Sequence, residues 1–90
     1  MTAARVAGIR TRLQSALGTT SVSVRDDSAL HVGHPGAQDG GGHFSVEVES
    51  GAFTGLSQIR RHQLVYAAVA DMIPAEIHAL SIKAKAPGER

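Results

Sequence analysis

The spacing of hydrophobic residues switches between the helical and the extended period along the chain, and the switches predict five elements. Val6, Ile9, Leu13, Ala16 and Leu17 recur at helical spacing, with Arg5, Arg10, Arg12 and Gln14 on other faces. Thr2 suits the N-cap and Gly18 the C-terminal stop. Ser21 to Val24 alternates polar and β-branched residues and predicts a short strand, followed by a polar break or an irregular strand end at Arg25-Asp26-Asp27-Ser28. Leu30-His31-Val32 could resume extended structure before the stretch from Gly33 to Gly42, which has the composition of a loop.

From His43 to Ser50 the alternation is clean. Phe44, Val46 and Val48 face one side, and His43, Ser45, Glu47 and Glu49 the other, as in a half-buried strand. A second helix is predicted from about Ser57 to Met72. Ile59, Tyr66, Val69 and Ile73 lie in one stripe, with Leu64 and Val65 alongside, and Pro74 ends the helix. Ile77 to Ala84 reads as a last strand, with His78, Leu80, Ile82 and Ala84 on one face and Ile77, Ala79, Ser81 and Lys83 on the other. The tail at 87–90 is expected to fray.

The order is therefore α-β-β-α-β, an α+β domain. The first two strands can pair as an antiparallel hairpin. The second helix is a crossover, so the second and third strands should be parallel, giving a three-stranded mixed sheet. In a chain of 90 residues, enough for one domain spanning 1–90, both helices should cover one face.

Composition narrows the function. Nine Lys and Arg against eight Asp and Glu give a net charge of +1, which disfavours partners bound mainly by charge, such as bulk DNA or an anionic membrane. The chain has no cysteine, so a disulfide, a CxxC redox motif and a thiol nucleophile are excluded, as is any thiolate ligand from this chain. No apolar run approaches the length of a membrane span, and a cytoplasmic location is the default expectation. There is no Walker sequence, dinucleotide fingerprint or nucleophile elbow, and Glu47 and Glu49 read as solvated surface, so an enzyme is not expected.

The histidines are the main candidate chemistry. His31 and His34 form an H-x2-H pair in the glycine-rich loop, but no second ligand pair is close in sequence, and a solvated loop is the commoner reading of such a pair. His43 lies on the polar side of the second strand, where it could be merely solvated. His62 falls between Ile59 and Tyr66 and reads as a structural residue at the core boundary. His78 opens the last strand. Gly33-His34-Pro35-Gly36 matches the GxxG clamp of KH domains by chance, because it lies between strands rather than helices.

Taken in order, Asp26-Asp27-Ser28, the His-bearing glycine loop, His43-Phe44, Phe53-Thr54-Gly55, Arg61-His62 and His78-Ala79-Leu80-Ser81 resemble the pattern of the BolA family across nearly the whole chain. The resemblance implies a fold similar to the class II KH domain. It also implies an adaptor in iron-sulfur trafficking and iron homeostasis that binds a monothiol glutaredoxin and shares a 2Fe-2S cluster with it. His78 matches the family's C-terminal ligand and His31 its loop ligand, with His34 as the alternative. The isolated chain should hold no cluster, since the sulfur must come from glutaredoxin and glutathione. The rival implied role is a transcription regulator touching DNA through the second helix region. Its basic candidates are Arg60, Arg61, Lys83 and Lys85. Gln63 stands where the family often has a basic residue, and weak DNA binding is expected.

Overall fold

A computed structural model describes residues 2–27 and 42–89. The predicted order is found: α1 (Thr2–Leu17), β1 (Val22–Asp26), β2 (Gly42–Glu49), α2 (Gln58–Ala68) and β3 (Ile77–Lys85), with short 3-10 turns at Gly51–Phe53 and Ala70–Met72. The sheet order is β1-β2-β3. β1 pairs antiparallel with β2, and β2 parallel with β3, as a helical crossover requires.

The inward row of α1 is Ile9, Leu13 and Leu17, spaced four residues apart and buried. Thr2 is the first residue of the helix rather than its cap. The predicted stop at Gly18 is present. Its φ of 60° is the left-handed conformation that glycine adopts without strain, and the Thr19 amide reaches back to the Gln14 carbonyl at 3.2 Å. Ser50 ties this helix end to the sheet. It is buried, its hydroxyl donates to the Leu17 carbonyl at 2.6 Å, and the same oxygen accepts from the Ala52 amide. One side chain thus satisfies an orphan carbonyl of α1 and starts the turn after β2.

β1 runs through Asp26, so of the two readings of Arg25-Asp26-Asp27-Ser28 the strand end rather than the break is found at Arg25 and Asp26. Arg25 and Asp26 pair with Ser45 and Phe44. The polar residue Arg25 fits the ladder because its side chain leaves on the uncovered face of the sheet. β2 is as predicted, with Phe44, Val46 and Val48 buried against the helices, and it takes in Gly42 from the glycine-rich stretch.

The stripe predicted for α2 is corrected by the packing. Arg61, Val65, Val69 and Met72 face inward, whereas Ile59 is 73% exposed and Leu64, Tyr66 and Ile73 are also exposed. Ser57 caps the helix, accepting from the Arg60 amide. Apolar residues lie nearly all round α2, so periodicity did not define its phase. An arginine fills the inward position because its guanidinium finds partners there. The helix stops at Ala68, and the predicted stretch to Met72 continues only as a 3-10 turn that places Met72 in the core. Arg12 of α1 clasps Asp71 of that turn, Nη2 to Oδ2 at 2.8 Å, and holds the Asp71 carboxyl below the usual carboxylate range.

The tail predicted to fray is folded as far as Glu89. Pro87 and Gly88, with φ of 87° at the glycine, form a turn closed by the Glu89 amide on the Ala86 carbonyl at 3.1 Å. The geometry requires glycine at that place.

The α2 phase is tested at Ile59, with a fully buried site on α1 as the benchmark. Leu13→Ala, which empties a fully buried site, should cost about 2–5 kcal/mol in urea unfolding. Ile59→Ala should stay within about 0.5 kcal/mol of the parent chain. A comparable loss at Ile59 would show that its side of the helix is packed.

Candidate functional site at the histidine end of the sheet

Because β2 and β3 run parallel and β1 runs against them, the start of β2, the start of β3 and the end of β1 meet at one end of the sheet. Backbone bonds lock this end. The Asp27 amide donates to the His43 carbonyl at 2.7 Å, and the Gly42 amide donates to the Glu76 carbonyl at 3.0 Å.

The register of β3 shifts here. Gly42 stands opposite Ile77, but His43 stands opposite Ala79, so His78 is an extra residue in the ladder. Ile77 and Leu80 are both buried, while His78 and Ala79 between them are exposed. The expected sharing of one face by His78, Leu80, Ile82 and Ala84 is therefore corrected at its first member. A strand of strict period two could not bury both Ile77 and Leu80. The bulge reconciles them by throwing His78 outward.

The imidazole beside His78 is that of His43, with ring centroids 5.2 Å apart and planes tilted by 43°. His43 is half-buried and its Nε2 is shielded from solvent, so it is not the merely solvated surface residue of the sequence reading. Next along the same face, the Asp27 carboxylate receives Arg25 Nε at 2.6 Å and the Ser45 hydroxyl. Asp27 raises the Arg25 pKa above its ordinary value by this bond. A fixed polar cluster thus adjoins the histidine pair. His43 and Asp27 were missed as site residues. The parallel order of β2 and β3 already placed both strand starts together, but the bulge carried no sequence signal beyond the apolar pair at 77 and 80.

His31 and His34 lie outside the described residues. The chain leaves the sheet at Asp27 and returns at Gly42, at the same end as His78. Among the described residues, no group of three or more His, Asp or Glu side chains is arranged to hold a metal ion.

The basic candidates are not gathered on one surface. Arg61 is 5% exposed. Its Nε donates to the Leu56 carbonyl, Nη1 to the Ala84 carbonyl, and both terminal nitrogens to the Glu89 carboxylate, with Nη2 to Oε2 at 2.8 Å. Those bonds commit its guanidinium to the fold. Arg60 is exposed on α2, but Lys83 and Lys85 leave β3 on the face opposite the helices, where Lys83 approaches Glu47 at 3.6 Å. His62 is half-buried on α2 and lines a groove with Gln58, Ile82 and Glu89, in keeping with its expected place at the core boundary. Tyr66 donates its hydroxyl to the Leu80 carbonyl at 3.1 Å.

These features define a small α+β domain that displays histidine from one end of a mixed sheet, and comparisons identify the family. The pattern described as BolA-like protein matches residues 13–89. The human protein named BolA-like protein 1 is 41% identical over 83 residues, covering 92% of this chain and 58% of its own length. The BolA domain of SufE1 from Arabidopsis thaliana superposes with a TM-score of 0.82 at 38% identity, over 96% of this chain and 95% of that one. BolA1 from the same plant gives 0.80 at 31% identity, with the same coverage. The chain belongs to the BolA-like family. It spans little more than half the length of the human relative. No helix among the described residues is long and apolar enough to cross a membrane.

The Arg61–Glu89 clasp makes a pH prediction. The hydrogen bonds from Arg61, then that from the Ala86 amide, lower the Glu89 pKa from 4.5 to about 2. A lowered folded-state pKa means the stabilisation is present above the unfolded value and is lost as pH falls towards the folded one. The melting temperature should therefore drop between about pH 5 and pH 2 more steeply in the parent chain than in Glu89→Gln, and the variant should melt lower at neutral pH. Equal slopes would mean that the clasp does not form in solution.

Proposed function

We propose that this chain is an iron-sulfur adaptor that binds a monothiol glutaredoxin and shares a 2Fe-2S cluster with it. The observation that carries the reading is His78, an exposed imidazole lifted from β3 by a bulge, in a chain without cysteine. A chain with this donor set can contribute no thiolate to iron, and its exposed histidine offers nitrogen. Imidazole is a known substitute for thiolate on one iron of such a cluster and raises its potential. The donor set therefore fits a cluster whose sulfur ligands come from glutaredoxin and glutathione.

The chain's own contribution is placement. The ladder at Gly42, the buried Ile77 and the buried Leu80 hold the backbone around His78, so its ring is offered to a partner without ordering a long segment. His43 packs beside that ring and restricts its swing. The loop ligand is proposed to be His31, with His34 as the alternative. The bound cluster would supply electron-accepting iron and a transferable unit, and the chain would act as holder rather than catalyst.

Visible circular dichroism of the chain mixed with cluster-loaded monothiol glutaredoxin and glutathione tests the reading. The mixture should develop a spectrum distinct from that of glutaredoxin alone, and the isolated chain should stay colourless after anaerobic reconstitution. His78→Ala should abolish or strongly alter the mixed spectrum while the domain remains folded. His31→Ala should make the cluster less stable, with His34→Ala having the smaller effect. Identical spectra for parent and His78→Ala mixtures would remove His78 as a ligand.

A further inference from the structure

We propose that β1 is the seat of a weak two-fold self-association, in which the β1 strands of two copies of this chain pair antiparallel about Val24. The sheet order β1-β2-β3 leaves β1 at an edge. The Glu49 amide donates to the Ser21 carbonyl and the Asp27 amide to the His43 carbonyl, so odd-numbered residues from 21 to 27 turn their backbone groups towards β2. Val22 and Val24 turn theirs outward. The Val22 amide goes to the Thr20 carbonyl at 2.9 Å, but among the described residues the Val22 carbonyl and both backbone groups of Val24 meet no partner. The β3 margin differs, since Tyr66 and Arg61 take the carbonyls of Leu80 and Ala84. Val24 thus offers a donor and an acceptor side by side on an open edge, which is a template for another strand.

The register makes a second copy the fitting occupant. A two-fold axis at Val24 sets Val24 against Val24, Ser23 against Arg25 and Val22 against Asp26 of the second copy, so each chain gives and receives the same contacts. The two Val24 residues exchange N–H···O bonds as one hydrogen-bonded pair. Their half-buried side chains meet on the helix-covered face. On the open face, the row across the joined sheet reads Lys83, Glu47 and Ser23, then Arg25 and Ser45 of the second copy. Glu47 and that Arg25 lie two strands apart, about 10 Å between α-carbons, with only a serine between them. Arg25 is 74% exposed, and its bonds to Asp27 and Ser45 use Nε and Nη2, leaving Nη1 to reach the Glu47 carboxylate across the junction. This opposite-charge pair occurs twice by symmetry, and no like charges stand directly opposed.

The rest of the domain accommodates the junction. Both helix layers fall on the same face, and the exposed residues of α1, Arg10 apart, are alanine, threonine and serine, small enough for two such helices to lie near each other. Antiparallel pairing sends the two histidine ends in opposite directions, so each stays open to its own partner. The contact is isologous and closes at two copies. One five-residue strand buries far less than the roughly 1,200 Å² of a standard interface, so the association belongs to high concentration.

Sedimentation equilibrium from about 10⁻⁵ M to about 10⁻³ M, with amide hydrogen exchange on the same samples, tests the pairing. The average mass should climb from one chain towards two and no further, and exchange at the Val24 amide should slow as it climbs. The Val22 amide, already bonded within the chain, should keep its rate. Val24→Pro removes the outward N–H without touching the β1–β2 ladder and should sediment as a single chain throughout. Arg25→Gln should weaken association by about two- to tenfold. The exchange rates of the unaltered chain report on the junction even if a variant folds poorly. A single chain at every concentration, a dimer whose Val24 amide exchanges as fast as in the monomer, or undiminished association in Val24→Pro would each overturn the proposal.

Discussion

Two large aliphatic side chains three positions apart cannot both enter the core from a regular strand, and this chain needs both Ile77 and Leu80 inside. The extra residue that resolves the conflict is His78. Burial of Ile77 fixes the start of β3 against Gly42, and burial of Leu80 fixes it against Phe44, so the residue between has no inward place left. Exposure of the histidine is thus enforced by the core rather than by any interaction of its own. The same shift brings Ala79 opposite His43. Its small side chain leaves room above the sheet where a larger residue would crowd the His43 ring.

A second constraint acts at the other end of β3. Arg61 occupies an inward position on α2 that the hydrophobic pattern would assign to a leucine. A buried guanidinium is tolerable only when its donors are matched, and here two backbone carbonyls and one carboxylate match them. The carboxylate arrives because Pro87 and Gly88 turn the chain back. The buried cation and the folded tail are therefore one arrangement, and neither is comprehensible without the other.

Much of this was legible in the sequence. Alternation in β2, the helical row of α1, the glycine stop and the crossover logic gave the element order and the strand directions. The errors share a physical cause. Apolar residues surround α2, so its phase was decided by polar satisfaction of Arg61, a long-range matter involving Glu89 and Ala84. The tail was read from local composition, which is silent about a partner 28 positions away. The face of His78 was read from strict alternation, which a bulge breaks. The family resemblance directed attention to His78, but only the fold brought His43 to its side.

The side chains that gather along the outer margin of β3 have a consequence for how this domain behaves in company. Tyr66 takes the outward carbonyl of Leu80, Arg61 that of Ala84, and Glu89 the outward amide of Ala86. An uncapped strand margin is a template on which other chains can polymerise. Here side chains take two of the outward carbonyls of β3 and the amide just past its end, which leaves a stray strand fewer groups to recruit. To that extent, crowding the domain or joining it to a longer polypeptide is less apt to extend its sheet past β3.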